Sequence, residues 1–280
     1  MNKLKTYSKF AQLFMLGLLL MVGALWTGRA DAATPHQLAC NPTMEVDSEA
    51  DLNDAINCYN TLPAGELTIN IAADITLTAE LTPFDRGTNI ASLNINGNNH
   101  TIDGDEKGRI LTFLDAQAIV DGLTMQNGAS TSVNPAGGVF VGIDGVIILR
   151  NSSVSNNSAE AESGGIYNFG VLIIDNSTVS NNSTNAGGGG LMNRGTATVT
   201  NGSTIANNMA MAEGGGIFNV GTLKVDNSTV SNNSANVDGG GLINQGTATI
   251  TNGSTIANNT SARYGGGTVS YTHLTLPTKA

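Results

Sequence analysis

GGIYNFGVLIIDNSTVSNNS from Gly164, GGLMNRGTATVTNGSTIANN from Gly189, GGIFNVGTLKVDNSTVSNNS from Gly215 and GGLINQGTATITNGSTIANN from Gly240 are four copies of one unit, beginning 25, 26 and 25 residues apart. A fixed period in this range marks a solenoid, whose units cannot bury an apolar face alone and must stack on their neighbours. The units lack runs of good helix formers. They carry short alternating runs instead, such as Thr222-Leu223-Lys224-Val225 and Thr196-Ala197-Thr198-Val199-Thr200, so each unit is built of strands. Three short strands and their turns use about 25 residues, which is one coil of a parallel β-helix advancing by the roughly 4.8 Å spacing of paired strands. The expected fold is all-β: a right-handed parallel β-helix of roughly eight coils.

Reading outward from the repeat, alternation turns Leu223, Val225, Ala197 and Val199 inward and Thr222, Lys224, Asp226, Thr196, Thr198 and Thr200 outward. Ile166, Leu191, Ile217 and Leu242 follow each Gly-Gly and form one predicted aliphatic stack; Val179, Ile205, Val230 and Ile256 form another. The Gly-Gly pairs mark sharp turns or close backbone approach. Asn168, Asn193, Asn219 and Asn244 share one position of the unit. Asn176, Asn201, Asn227 and Asn252 share a second, and Asn182, Asn208, Asn233 and Asn259 a third. Stacked coils turn each set into a column, in which an Asn tolerates the left-handed backbone of a tight turn and its amide links the Asn above to the Asn below. Many of these Asn lie in N-x-[ST] sequons, a pattern frequent by chance in so Asn- and Ser-rich a chain. The copies from Gly164 and Gly215 also share DNSTVSNNS, and those from Gly189 and Gly240 share TNGSTIANN, so a two-coil block has been duplicated.

The run Val230-Ser-Asn-Asn233-Ser-Ala-Asn-Val-Asp-Gly-Gly-Gly-Leu242 resembles the repeats of the polymorphic outer membrane protein class, and more broadly those of bacterial right-handed β-helix surface proteins. The resemblance covers about Asn94 to Gly267 and departs from that class in having Val or Ile where Phe is frequent. It implies surface display and adhesion, with a glycan or protein of a host or cell surface as partner.

Upstream features fit export. Lys3, Lys5 and Lys9 precede an apolar run from Phe10 to Trp26 and then Ala30-Asp31-Ala32, which reads as a signal peptide over residues 1–32 cleaved between Ala32 and Ala33. The alternative is an uncleaved anchor. Both place the repeats outside the cytoplasm, secreted or on the cell surface. From Ala33 to Thr268 the chain has 21 acidic and 7 basic residues, a net charge of −14. That balance argues against nucleic acid and anionic lipid as partners. Cys40 and Cys58 are the only cysteines; in an oxidising compartment they are expected to form a disulfide. Between them, Ser48 is a candidate helix cap with Asp51 as its partner three residues on, ahead of Leu52, Ala55 and Ile56. Residues 33–66 therefore read as an N-terminal cap region and 67–268 as the β-helix, opening with strands at Leu67 to Ile71, Ile75 to Thr78 and Leu93 to Gly97. NGNNHTIDG, Asn96 to Gly104, resembles the opening coil of exported β-helix proteins.

Val269 to Thr278 reads VSYTHLTLPT and breaks the repeat. It resembles a reading frame run through a transposase adapter from sequencing-library preparation, which makes residues 269–280 a non-native tail, excludes His273 as a ligand, and leaves the native C-terminal anchor missing. On that reading a membrane is reached only through the missing anchor or an uncleaved signal, and self-association is expected at the open C-terminal end.

Three function classes follow from the residues. The first is an exported structural or adhesive rod without catalysis, cofactor or metal. The second is a polysaccharide lyase or glycoside hydrolase acting on an acidic polysaccharide, for which the candidate carboxylates and base are His100, Asp103, Asp105, Glu106, Asp175 and Asp226. Asp103 follows a turn-type His-Thr-Ile run and reads more readily as a turn residue, and duplication alone accounts for Asp175 and Asp226. The third is an ice-type lattice binder. Its Thr ladder, Thr196, Thr198, Thr200 and Thr247, Thr249, Thr251, is broken by Lys224 and Asp226 in the intervening coil. No copy shows the GGxGxD of a calcium-binding roll.

Overall fold

A computed structural model describes residues 39–87, 91–131 and 134–276; the signal segment and its Ala32/Ala33 cleavage site lie outside the described residues. The chain winds into a parallel β-solenoid of about nine turns. Each repeat coil contributes one strand to each of four parallel sheets, exemplified by Val171–Asp175 in sheet 1, Thr178–Ser180 in sheet 2, Ser183–Thr184 in sheet 3 and Leu191–Asn193 in sheet 4. The sheets hold ten, eight, six and eight strands respectively. Sheet 1 has the most strands, most of them of five residues or more, whereas the two-residue strands of sheet 3 are little more than a corner between turns.

The strand Thr196–Thr200 and the run from Thr222 fall where alternation put them, with Ala197, Val199, Leu223 and Val225 buried and Thr196, Thr222 and Lys224 exposed. Both aliphatic stacks form in register: Ile166, Leu191, Ile217 and Leu242 are fully buried, as are Val179, Ile205 and Val230, while Ile256 in the last coils is half-buried. Each fully buried aliphatic side chain contributes about 1.5–3 kcal/mol, and its column extends this from coil to coil. The Gly-Gly pairs are sites of close approach and not of unusual dihedral. A Cβ on Gly165 would sit 2.4 Å from the Gly190 carbonyl oxygen. The left-handed residue is the one before the pair: Ser163, Gly188, Gly214, Gly239 and Gly265, with φ of 60° to 75°.

Strands at both ends lie outside the predicted 67–268 span. Thr43–Val46 pairs with Thr68 to Ile71 and so founds sheet 1 before the helix, inside what the sequence reads as cap. At the other end Thr268–Ser270 pairs with Leu242–Asn244, and His273–Thr275 with Thr247 to Thr249. The segment set apart as a tail thus continues the ladder through Thr275; residues 277–280 lie outside the described residues.

The helix Glu49–Thr61 is capped by Ser48, whose hydroxyl accepts from the Asp51 N–H at 3.2 Å and donates to the Asp51 carboxylate at 2.7 Å. It buries Leu52, Ala55, Ile56 and Tyr59 in the same core as Leu67, Ile69 and Phe84, and so covers the first coil. Glu49 accepts from the backbone N–H groups of Thr78 and Ala79, and Asn60 joins Pro83 and Asp85, which fixes the helix to the following loop. Cys40 and Cys58 form a disulfide, Cα atoms 5.4 Å apart, tying the start of the described chain to this helix.

The three Asn columns behave differently. Asn168, Asn193, Asn219 and Asn244 are fully buried, and each amide donates to the next side-chain oxygen at 2.7–2.8 Å. Asn244 ends the run by donating to the His273 carbonyl at 3.1 Å. Asn157, Asn182, Asn208, Asn233 and Asn259 form a second continuous ladder, with both the backbone N–H and the side-chain amide of one Asn pointing at the next oxygen at 2.9–3.0 Å. The column Asn176, Asn201, Asn227 and Asn252 makes no such ladder: its members are exposed, in left-handed turns with φ of 46° to 57°. Asn176 donates to Asn151, whereas Asn201 and Asn252 donate to Asp175 and Asp226 one coil back. Here the residue preceding each Asn, Asp in alternate coils, captures the amide.

Candidate functional site

Apart from Glu106, the carboxylates suited to sugar chemistry are engaged by hydrogen bonds or ion pairs. Asp74, not singled out from the sequence, accepts from the Thr101 N–H at 2.8 Å and lies 3.2 Å from His100 Nδ1; the Thr101 bond, then His100, holds its pKa below the ordinary carboxylate value. For Asp103, burial pushes the pKa up, but bonds from the Asp105 N–H (3.0 Å), Gln126 (3.0 Å) and Asn127 (2.9 Å) together bring it below the ordinary value. Asp105 pairs with Lys107 at 3.4 Å, and Asp175 with Arg150 at 3.7 Å and Asn201 at 2.6 Å. Asp226, lowered chiefly by Lys224 at 2.8 Å, also accepts from Thr251 at 3.0 Å and from Asn252. A general acid needs a raised pKa, and the resolved shifts at Asp103 and Asp226 run the other way. Glu106 stands apart from these, in a left-handed turn with φ of 58° on the rim of a cleft. Among the described residues no group of three or more His, Cys, Asp or Glu is placed to hold a metal ion.

That cleft, of about 410 Å³, is a trough running along sheet 3. Its floor is the outward column Ala129, Ser158, Ser183 and Met209, brought into line by the parallel register of the two-residue strands. One wall comes from the residues just after those strands, Glu160, Asn185 and Met211, whose backbone N–H groups bond to the preceding coil at 2.9–3.1 Å. Glu80, Glu106 and Lys107 close the end nearer the helix. Of the three carboxylates in the lining, Glu80 pairs with Arg109 at 3.6 Å, and the one ammonium, Lys107, lies against Asp105 at 3.4 Å. The hydroxyl of Ser130, also in the lining, is buried with no hydrogen-bond partner.

A second surface was missed from the sequence. Phe140, Tyr167, Met192, Phe218 and Ile243 form an outward column on sheet 4, and the loops before each Gly-Gly fold over it: Met192 and Ile243 are buried, and a Cβ on Gly187 would meet the Phe218 ring at 2.6 Å. The signal was present in GGIYN, GGLMN, GGIFN and GGLIN, where two consecutive apolar residues mean a strand covered on both faces. Tyr167 donates to Glu162 at 2.7 Å and accepts from Arg194 at 2.6 Å; burial first, then Glu162, pushes its pKa up to about 12. Beside it Phe169, Ile143, Val146 and Val171 are exposed at the corner between sheets 4 and 1.

Comparison of the chain with protein-family models, with curated proteins and with solved structures returns no match. The parallel β-solenoid is the class of protein that the coordinates define.

Proposed function

We propose that this chain is an exported, surface-displayed or secreted β-helix that acts as a stiff adhesive or structural rod, as its likeness to polymorphic outer membrane protein repeats implies. The observation that carries the reading is the division of labour within each coil. Inward positions are held to two buried Asn ladders and aliphatic stacks, while outward positions on sheet 1 change from Ile148 and Ile173 to Thr198, Lys224 and Thr249. A rod needs the first, and a recognition surface free to vary uses the second. The Cys40–Cys58 disulfide and the apolar N-terminal run support export.

Expression of the full chain in a Gram-negative host with an epitope after Thr275 tests this. Intact cells should lose the epitope to external protease, or shed it to the medium, and should gain attachment to glycan- or protein-coated surfaces. Retention of all the protein in the cytosol in reduced form overturns export; display or secretion without attachment to any surface overturns adhesion. The lyase alternative is not favoured, because Asp226, chiefly through Lys224, and Asp103, through its turn bonds, are held ionised, and the cleft along sheet 3 is anionic, the wrong sign for an acidic polysaccharide.

A further inference from the structure

We infer that the trough over sheet 3 is a binding site for a cationic amino-sugar oligosaccharide. The inference names a ligand for the adhesive reading and rests on it. Four observations converge on the same cleft.

The first is shape. The floor column Ala129, Ser158, Ser183 and Met209 spans three coil steps, roughly 14 Å at the strand spacing. That length suits an extended oligomer and exceeds a single sugar ring. The second is charge. Glu80, Glu106 and Glu160 line it with Lys107; Glu80 pairs with Arg109 and Lys107 with Asp105, so four carboxylates stand there beside two cations. Residues 33–268 carry a net charge of −14; the local field and the overall field both attract cations and repel uronic acids. The third is the polar lining: the hydroxyls of Ser158 and Ser183 and the Asn185 amide offer donors and acceptors of the kind sugar hydroxyls use. The fourth is the apolar end. Met209 and Met211, 39% and 45% exposed, give a soft, adaptable surface for the C–H face of a pyranose. A basic peptide shares the length and the charge; the row of hydroxyl and amide groups beside an apolar methionine end suits the hydroxyls and C–H faces of a pyranose chain, which is why the saccharide is favoured.

The test uses the full chain and titration calorimetry at low salt, with glucosamine tetramer as probe. Its N-acetylated counterpart, which lacks the charge, a galacturonate tetramer, and tetralysine serve as comparisons. Glucosamine tetramer should bind, and more weakly in 0.5 M salt. Glu106→Gln and Glu160→Gln should each weaken it about fivefold, the equivalent of about 1 kcal/mol for a half-exposed ionic contact. Ser183→Tyr, which fills the floor, should abolish binding while leaving the circular dichroism spectrum unchanged. The proposal is overturned if the acetylated or galacturonate tetramer binds as well, if tetralysine binds more tightly than the amino sugar, or if binding survives Ser183→Tyr. Should Ser183→Tyr misfold, the two Gln variants decide: unchanged affinity in both overturns it. Surface display in the protease test with no amino-sugar binding defeats this inference alone. Cytosolic retention with binding intact defeats the export reading alone.

Discussion

One column of side chains passes through the whole molecule and changes its chemistry on the way. In sheet 4, Phe84 pairs with Phe113, Phe113 with Val141, Val141 with Asn168, and Asn168 leads through Asn193 and Asn219 to Asn244. Near the helix the position is filled by rings: Phe84 and Phe113 stack with centroids 5.0 Å apart, and Tyr59 meets Phe84 edge-on at 5.7 Å. In the repeats the same position is filled by amides bonded at 2.7–2.8 Å. The two regions solve one geometric problem by different means. Where the helix closes the end of the core, bulk and apolar area suffice. Where identical coils must stack, a polar column adds register, because each buried amide is satisfied only when the next coil sits at the right height.

The largest expected effect comes from the aromatic end. Phe113→Ala removes a fully buried ring that touches the stack on one side and Val141 on the other, and should cost about 4 kcal/mol. Equilibrium urea unfolding followed by circular dichroism measures it. A loss below 1 kcal/mol would mean that rings and amides are not comparable in weight.

Next is the ladder. Asn208→Ala deletes the oxygen that receives the Asn182 N–H and side-chain amide, and the amide that serves the Val179 carbonyl and Asn233. At least two buried backbone groups lose partners, each worth about 1–3 kcal/mol, for a loss of about 3 kcal/mol. Because solenoid stability is summed over nearest neighbours, hydrogen exchange should rise in the coils from Val179 to Ala235 and stay unchanged near Phe84. Uniform acceleration along the chain would show that the two regions unfold as one.

Most of the scaffold was legible before any coordinates, because a repeat converts sequence spacing directly into register: Asn168, Leu191 and Val230 sit where the period put them. What was not legible depends on lateral neighbours. Thr43–Val46 was hidden by its shortness and by the helix between it and its partner strand. The exposed column Asn176, Asn201, Asn227 and Asn252 looked like its buried counterparts because residue identity alone does not reveal which side of the strand a turn residue faces. The trough was invisible because Glu80, Glu106 and Glu160 come from three coils, none of them in the four perfect repeats, and only the corner geometry of sheet 3 gathers them.

A smaller effect sharpens the boundary between the two chemistries. Asn168 is the first amide of its column, and its side-chain oxygen is buried without a partner because Val141 has nothing to donate. The other ladder begins without such a defect, since the Gly128 N–H bonds to Asn157 Oδ1 at 2.8 Å. Val141→Asn would supply the missing donor to Asn168 but would carry the orphan oxygen one coil back, against Phe113. The expected outcome is a net loss of about 1 kcal/mol, from burying one more polar group at the edge of the aromatic stack. A gain in stability would show that the ladder is cooperative enough to outweigh its own terminus.

The smallest effect separates the regions by pH. Asp226 and Asp238 in the repeats have pKa values held down chiefly by Lys224 and Arg263, respectively. A carboxyl depressed in the fold stabilises it above the ordinary carboxylate value near 3.8, and that contribution disappears as pH falls through and below that value. Asp115, beside the aromatic end, is displaced the opposite way: burial first, then Asp144 and Asp85, raise its pKa. Its ionised form is disfavoured by folding, so it weakens the fold at neutral pH and the penalty lifts on acidification. Asp115→Asn should therefore raise Tm slightly at pH 7 and leave it unchanged at pH 3, whereas Arg263→Ala should lower Tm slightly at pH 7 and by less at pH 3. Thermal melts at the two pH values check both. If Asp115→Asn lowers Tm at pH 7, the three carboxylates at that corner are not repelling one another, and the aromatic end owes its stability to something besides packed rings.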